Sequence, residues 1–150
     1  MKDRDQPTRT RGRVLAGLLV TGFLIGLAPA AAQAGQASSS WGYFTVNGVS
    51  YKNQATISTS TGSAGAYTFL GRTSGCIPSG WGGARARLFN SANTLIQESS
   101  ILYNSGCVIG FDRVTSRSGG GTWYSYGVTW GWNGSSYSPS YTFKSPNQNS

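Results

Sequence analysis

The chain has 150 residues, with 12 Lys or Arg against 4 Asp or Glu and no histidine. Beyond residue 34 only Glu98 and Asp112 are acidic, against Lys52, Arg72, Arg85, Arg87, Arg113, Arg117 and Lys144, a balance of +5. Such a set leaves no imidazole base, no cluster of metal ligands and little material for paired acid–base work, so neither an enzyme nor a cofactor or metal protein is expected.

The first 34 residues read as an export leader. Lys2, Arg4, Arg9, Arg11 and Arg13 form a basic start, Val14 to Ala28 is apolar, and Ala32-Gln33-Ala34 supplies the small-x-small site of a signal peptidase. Cleavage is predicted after Ala34, by the general secretory route because no Arg-Arg pair is present. The apolar stretch falls short of the roughly 20 residues that span a bilayer, so stable membrane insertion is not expected. The product should be secreted and extracellular. Residues 35–40 read as a flexible polar arm and 41–150 as one domain.

The domain reads as all-β, because Gly, Ser and Asn punctuate short runs of Thr, Val, Ile, Tyr and Trp. Phe44 to Tyr51 predicts a hairpin on Asn47-Gly48, whose type I′ turn needs positive φ at both residues. Val46 would then face Val49 and Phe44 would face Tyr51. Cys76 and Cys107, the only cysteines, predict one disulfide in an exported chain. Closing a loop of roughly 30 residues would stabilise the fold by about 3–4 kcal/mol. Ala84 to Phe89 alternates with Ala84, Ala86 and Leu88 inward; a four-residue turn over 90–93 would return Thr94 to Ser99 and set Arg85 opposite Glu98.

The final hairpin is the most aromatic. With Trp132 opposite Ser135 around Asn133-Gly134, one face collects Tyr124, Tyr126, Val128, Trp130, Trp132, Tyr137, Pro139, Tyr141 and Phe143. The other face carries mainly Ser, Thr and Gly, with Trp123. The aromatic face is assigned to the core, at least for Tyr124, Tyr126, Val128 and Tyr141. Pro139 lacks an amide donor and predicts an edge strand. A small antiparallel β-sandwich of about seven or eight strands is the expected fold, with a flattened barrel as its competitor.

Candidate binding residues follow from position. Trp81 and Trp123 lie in or beside glycine-rich loops and are expected as exposed contacts. Trp130, Trp132 and Tyr137 lie near the final turn, where core and contact roles are both open. Arg85 and Arg87 project the same way along one strand, and Arg113 and Arg117 flank a loop; they would steer an anionic partner or simply keep the surface soluble. Only Glu98 and Asp112 could form a catalytic carboxylate pair, and nothing in their spacing joins them.

Two resemblances add to this. The stretches Ala84-Arg85-Ala86-Arg87-Leu88-Phe89, Gly121-Thr122-Trp123-Tyr124-Ser125-Tyr126-Gly127, Trp132-Asn133-Gly134-Ser135-Ser136-Tyr137 and Lys144-Ser145-Pro146 resemble small secreted proteins of actinobacteria. By analogy with some of those, the chain would serve as a subunit or adaptor of a secreted antibacterial toxin complex. Gly120 to Gly127 is similar to the Gly-Gly-Thr-Trp…Tyr-Gly opening of lactococcin-type bacteriocins, which are small secreted β-sandwiches. There the motif begins the mature protein, whereas here it lies near the end. The expected function is therefore non-catalytic binding of another secreted or envelope protein. The alternatives are a cell-wall glycan or anionic polymer binder and a bacteriocin-like antibacterial protein; nucleic acid is not an expected partner.

Overall fold

A computed structural model describes residues 34–150; the export leader expected over residues 1–34 lies, apart from Ala34, outside the described residues. Thirteen strands are present: β1 Gly35–Ser38, β2 Gly42–Val46, β3 Val49–Ser60, β4 Ser63–Arg72, β5 Gly82–Arg85, β6 Arg87–Asn90, β7 Leu95–Glu98, β8 Leu102–Tyr103, β9 Gly110–Ser118, β10 Thr122–Ser125, β11 Val128–Trp132, β12 Tyr137–Tyr141 and β13 Gln148–Asn149. All pairings are antiparallel, and the sheets do not close into a barrel.

The number of strands exceeds the expected seven or eight because five ribbons are interrupted. β1 and β2 share one edge of β3; β5 passes into β6 across Ala86, and β10 into β11 across Tyr126 and Gly127. On either side, β8 with β7 and β12 with β13 follow the same break. Thirteen strands thus occupy eight ribbons, ordered β1/β2–β3–β4–β9 in one layer and β12/β13–β11/β10–β5/β6–β8/β7 in the other. The outer position of β12 agrees with Pro139 as an edge residue.

The long strands β3 and β4 form because their residues alternate. Val49, Tyr51, Asn53, Ala55, Ile57 and Thr59 are buried while their neighbours are not, which is the two-residue period of a strand with one covered face. The β2–β3 turn has Asn47 at φ 50° and Gly48 at φ 74°, and the register sets Val46 opposite Val49 and Phe44 opposite Tyr51, as expected. The two rings stack at 5.1 Å. On the second layer Ala84, Ala86 and Leu88 are fully buried. Ala84 joins Val49, Tyr51, Leu70 and Ile77 in one apolar cluster, and Leu88 joins Ile57, Ala64, Ala66 and Trp123 in another. These contacts are the face-to-face packing of a sandwich.

Between the two clusters the interior is polar. Asn53, Thr68 and Thr129 are fully buried; Asn53 Nδ2 donates to Thr129 Oγ1 at 2.9 Å, and Thr129 Oγ1 donates to the Ser140 carbonyl at 3.0 Å. Asn53 Oδ1 and Thr68 Oγ1 have no partner among the described residues. Cys76 and Cys107 form the expected disulfide, with Cα atoms 5.4 Å apart, beside a bridge between Ile77 and Val108.

Four expectations are corrected. Residues 35–40 are not a loose arm: β1 pairs with β3, and the Ser39 amide donates to the Ala55 carbonyl at 2.8 Å, because the half of β3 that β2 leaves bare still needs hydrogen-bond partners. In the last hairpin Trp132 pairs with Tyr137 instead of Ser135. Asn133 Oδ1 accepts the amides of Ser135 and Ser136, and this local side-chain turn opens the loop to four residues. Arg87, not Arg85, sits opposite Glu98; the Arg85 guanidinium reaches that carboxylate diagonally at 3.4 Å, an exposed pair.

The fourth correction is the largest. The aromatic face of the final hairpin points away from the other sheet; Tyr124 and Val128 are buried there, as expected, whereas Tyr126 is half-buried and Tyr141 is exposed. Trp123 is buried with Leu88 and Ile57, while a side chain at Gly127 would strike Thr68 and one at Gly131 would meet Tyr51 and Val46 at 3.0 Å. The face inferred to be outer, with Trp123, Ser125, Gly127, Thr129 and Gly131, is therefore the inner one. The cause is volume. Thr68, Tyr51 and Val46 from the first layer leave no room for a side chain at Gly127 or Gly131, while Trp123 and Leu88 fill the inner space beside Ile57.

Candidate functional site: an aromatic and cationic outer face

Because β10 and β11 turn their small residues inward, their alternate residues line the outside of the second layer. Tyr124 lies opposite Phe89 across β10 and β6, and the two rings stack at 5.2 Å with planes 9° apart. Tyr126 stacks on Tyr141 at 5.7 Å. Arg87 is held at the centre: its guanidinium lies 5.1 Å from the Tyr126 ring, 5.2 Å from Phe89 and 5.4 Å from Tyr141, and its Nε donates to the Tyr126 carbonyl at 3.0 Å. Each such contact is a cation over an electron-rich ring, worth about 0.5–1 kcal/mol where water reaches it. Lys144 covers Tyr124 with its ammonium 3.6 Å from the ring centre.

A second group follows along the same face toward the disulfide. Tyr137 contacts Tyr103 at 4.5 Å and Trp132 at 5.1 Å, and its hydroxyl donates to the Gly80 carbonyl. Arg85 lies 6.0 Å from the Trp130 ring and links this group to the Arg87 group. Gly83 matters here, since a Cβ would meet the Tyr103 ring at 2.8 Å; its absence lets that ring lie close over the strand, beside the Trp130 Cβ.

Burial raises the pKa of Tyr124, opposed by the charge of Arg87 and assisted by Tyr126; burial also raises that of Tyr137, assisted by Tyr103. Both phenols therefore stay protonated at neutral pH and act as hydrogen-bond donors, Tyr124 to Asn93 Oδ1 at 3.0 Å. Those two hydroxyls are spent on internal bonds, and the face offers flat rings and fixed guanidinium charge, which suits contact with a surface. Tyr141 is 54% exposed and Phe143 58%, and Leu102 and Tyr103 are exposed as well.

Of the residues singled out from sequence, Arg85, Arg87, Trp130, Trp132 and Tyr137 meet on this face. Trp123 does not: it is 7% exposed, in the core, with its indole N–H donating to Ser150 Oγ at 3.0 Å. Its place beside Gly121 suggested an open loop, but β13 and the chain end cover it. Trp81 packs half-buried against the cluster around Tyr51, and its carbonyl accepts from the Tyr51 hydroxyl and the Trp132 amide, so it supports the site from beneath. Sequence reasoning missed Phe89, Tyr103, Tyr126, Tyr141 and Lys144 as parts of this face. The signal for Tyr126 and Tyr141 was present, since they alternate in step with Trp130. Their direction was not.

Glu98 is engaged by Arg85, and Asp112 lies on the outer side of the first layer near Gln36, Thr56, Ser58 and Tyr67. Among the described residues no group of three or more His, Cys, Asp or Glu could hold a metal ion, and no helix is long and apolar enough to cross a membrane. The fold and this face define a disulfide-bonded, antiparallel β-sandwich with an aromatic–cationic exterior. Comparison with protein families, curated proteins and solved structures finds no match to the chain.

Proposed function

We propose that this protein is a secreted, non-catalytic recognition module whose aromatic–cationic face docks on another secreted or envelope protein, as a subunit or adaptor of a secreted antibacterial complex. The observation that carries this reading is Arg87 clamped among three rings beside the exposed Tyr141. Aromatic and arginine side chains held rigid before contact are the usual anchors of protein interfaces, because little freedom is lost on binding. The positive balance beyond residue 34 favours a partner with an acidic surface.

The test is co-purification from culture medium with the wild-type chain and with Arg87→Ala and Tyr141→Ala. A partner recovered one-to-one with the wild type and lost with both variants supports the reading. Recovery indifferent to both variants defeats it, as does retention on cell walls with no protein partner. A bacteriocin-like role would show instead as growth inhibition of related strains by the purified protein alone.

A further inference from the structure

The outer face of the first layer differs in chemistry from the aromatic one. Tyr67 on β4 is 38% exposed, and a Cβ at Gly65 would lie 3.3 Å from its ring carbon Cε2 and 3.7 Å from its hydroxyl. The ring therefore lies across Gly65, along the sheet, with its other side free. Only a residue without a side chain permits this. Two adjoining depressions of about 350 and 290 Å³ meet at Tyr67 and Ser58.

The register places polar groups on both sides of the ring. Gly65 has Ser58 opposite it on β3 and Ser116 opposite it on β9, and Gln36 on β1 lies opposite Ser58. Asp112 lines one depression and Ser116 the other; Arg117 borders the second from a position opposite the inward Ala64. Other hydroxyls nearby are occupied, as in the Ser38–Thr56 contact at 2.8 Å and the Ser60–Ser63 contact at 2.6 Å. The side chains of Gln36, Ser58, Ser116, Asp112 and Arg117 make no hydrogen bond or ion pair among the described residues.

From this arrangement we propose a binding site for an oligosaccharide of pyranose rings, with one sugar stacked on Tyr67 and its neighbours reaching toward Asp112 on one side and Ser116 on the other. A pyranose presents an apolar face of C–H groups ringed by hydroxyls. A flat ring set among unengaged hydroxyls, an amide and a carboxylate matches that outline, because ring burial supplies the attraction and the polar groups replace the water lost from the sugar edge. An apolar peptide would leave those polar groups unpaired, and a polyanion would meet Asp112. This site is on the opposite sheet from the aromatic–cationic face and stands or falls apart from it.

The test is a two-dimensional NMR titration of the purified protein, produced from the full sequence, with cellotetraose, chitotetraose and maltotetraose. Binding of at least one tetrasaccharide should shift the amide signals of Ser58, Gly65, Tyr67 and Ser116. Tyr67→Ala should weaken it by about tenfold, and Asp112→Asn should weaken it too, while Tyr141→Ala leaves it unchanged. Should Tyr67→Ala fail to fold, Ser116→Trp, which fills the groove from a strand surface, should abolish the shifts. The proposal is overturned if none of the three sugars perturbs these signals at millimolar concentration, if the perturbed signals lie around Tyr141 instead, or if the affinity is indifferent to the groove variants.

Discussion

The two layers of this sandwich share one core unequally. On β3 and β4 the bulky residues Tyr51, Ile57 and Leu70 point in, and the outer positions are hydroxyl-rich. Along β10, β11 and the two residues between them the inner positions are Trp123, Ser125, Gly127, Thr129 and Gly131, small except at the first, and the bulky aromatics Tyr126, Trp130 and Trp132 lie outside. The contrast teaches that a larger apolar face is not always the buried one. What must be conserved across an interface between sheets is the summed volume, and its division changes along the strands: Trp123 and Leu88 fill one end, while Gly127 and Gly131 yield to the first layer at the other.

The largest expected effects come from reversing that allocation. Trp123→Ala, on the inner face, should cost about 3–5 kcal/mol, whereas Tyr141→Ala, 54% exposed on the outer face, should cost under about 1 kcal/mol; urea unfolding of the two variants distinguishes them. Equal costs would mean that the outer aromatics also carry the core. Next, replacing Cys76 and Cys107 by Ser should lower stability by about 3–4 kcal/mol, read from the same denaturation curves. Gly127→Ala should cost about 1–3 kcal/mol through collision with Thr68. Adding Thr68→Ala should recover part of that loss, since the two sites are in contact. A Gly127→Ala chain as stable as wild type would contradict the narrow interior.

The smallest effect is electrostatic and lies on the polar side of the comparison. Desolvation raises the pKa of Asp112, so the native state holds this proton more tightly than the unfolded chain. Its contribution is fully present below the ordinary carboxylate pKa and is lost as pH rises through the elevated native value. Asp112→Asn should therefore melt at a higher temperature than wild type at neutral pH, with the difference closing on acidification. Thermal melts from about pH 3 to pH 7 would show it, and a gap that widens in acid would contradict the sign. The same variant, being no less stable at neutral pH, separates loss of sugar binding from loss of fold.

Much of the architecture was legible residue by residue. Asn47-Gly48 specified its turn and thereby the Phe44–Tyr51 pairing; Cys76 and Cys107 had no other partners; Pro139 announced an edge; Ala84, Ala86 and Leu88 showed which way their strand faces. The candidate site was legible only as a set. Trp130, Trp132, Tyr137, Arg85 and Arg87 do share a face, but Trp123, expected as an exposed contact on the other face, is buried, and Tyr126 and Tyr141 were sent to the core. Alternation tells which residues lie together and leaves open which side meets the neighbouring sheet.

The amino-acid order alone settled what is local: strand content, turn chemistry, the cross-link and the membership of each face, because these depend on backbone sterics and on neighbours within a few positions. The tertiary structure decided which face is inside. That choice rests on Val46, Tyr51 and Thr68 arriving from a distant part of the chain and occupying the space a side chain at Gly127 or Gly131 would need, a constraint of volume that no short window of sequence contains.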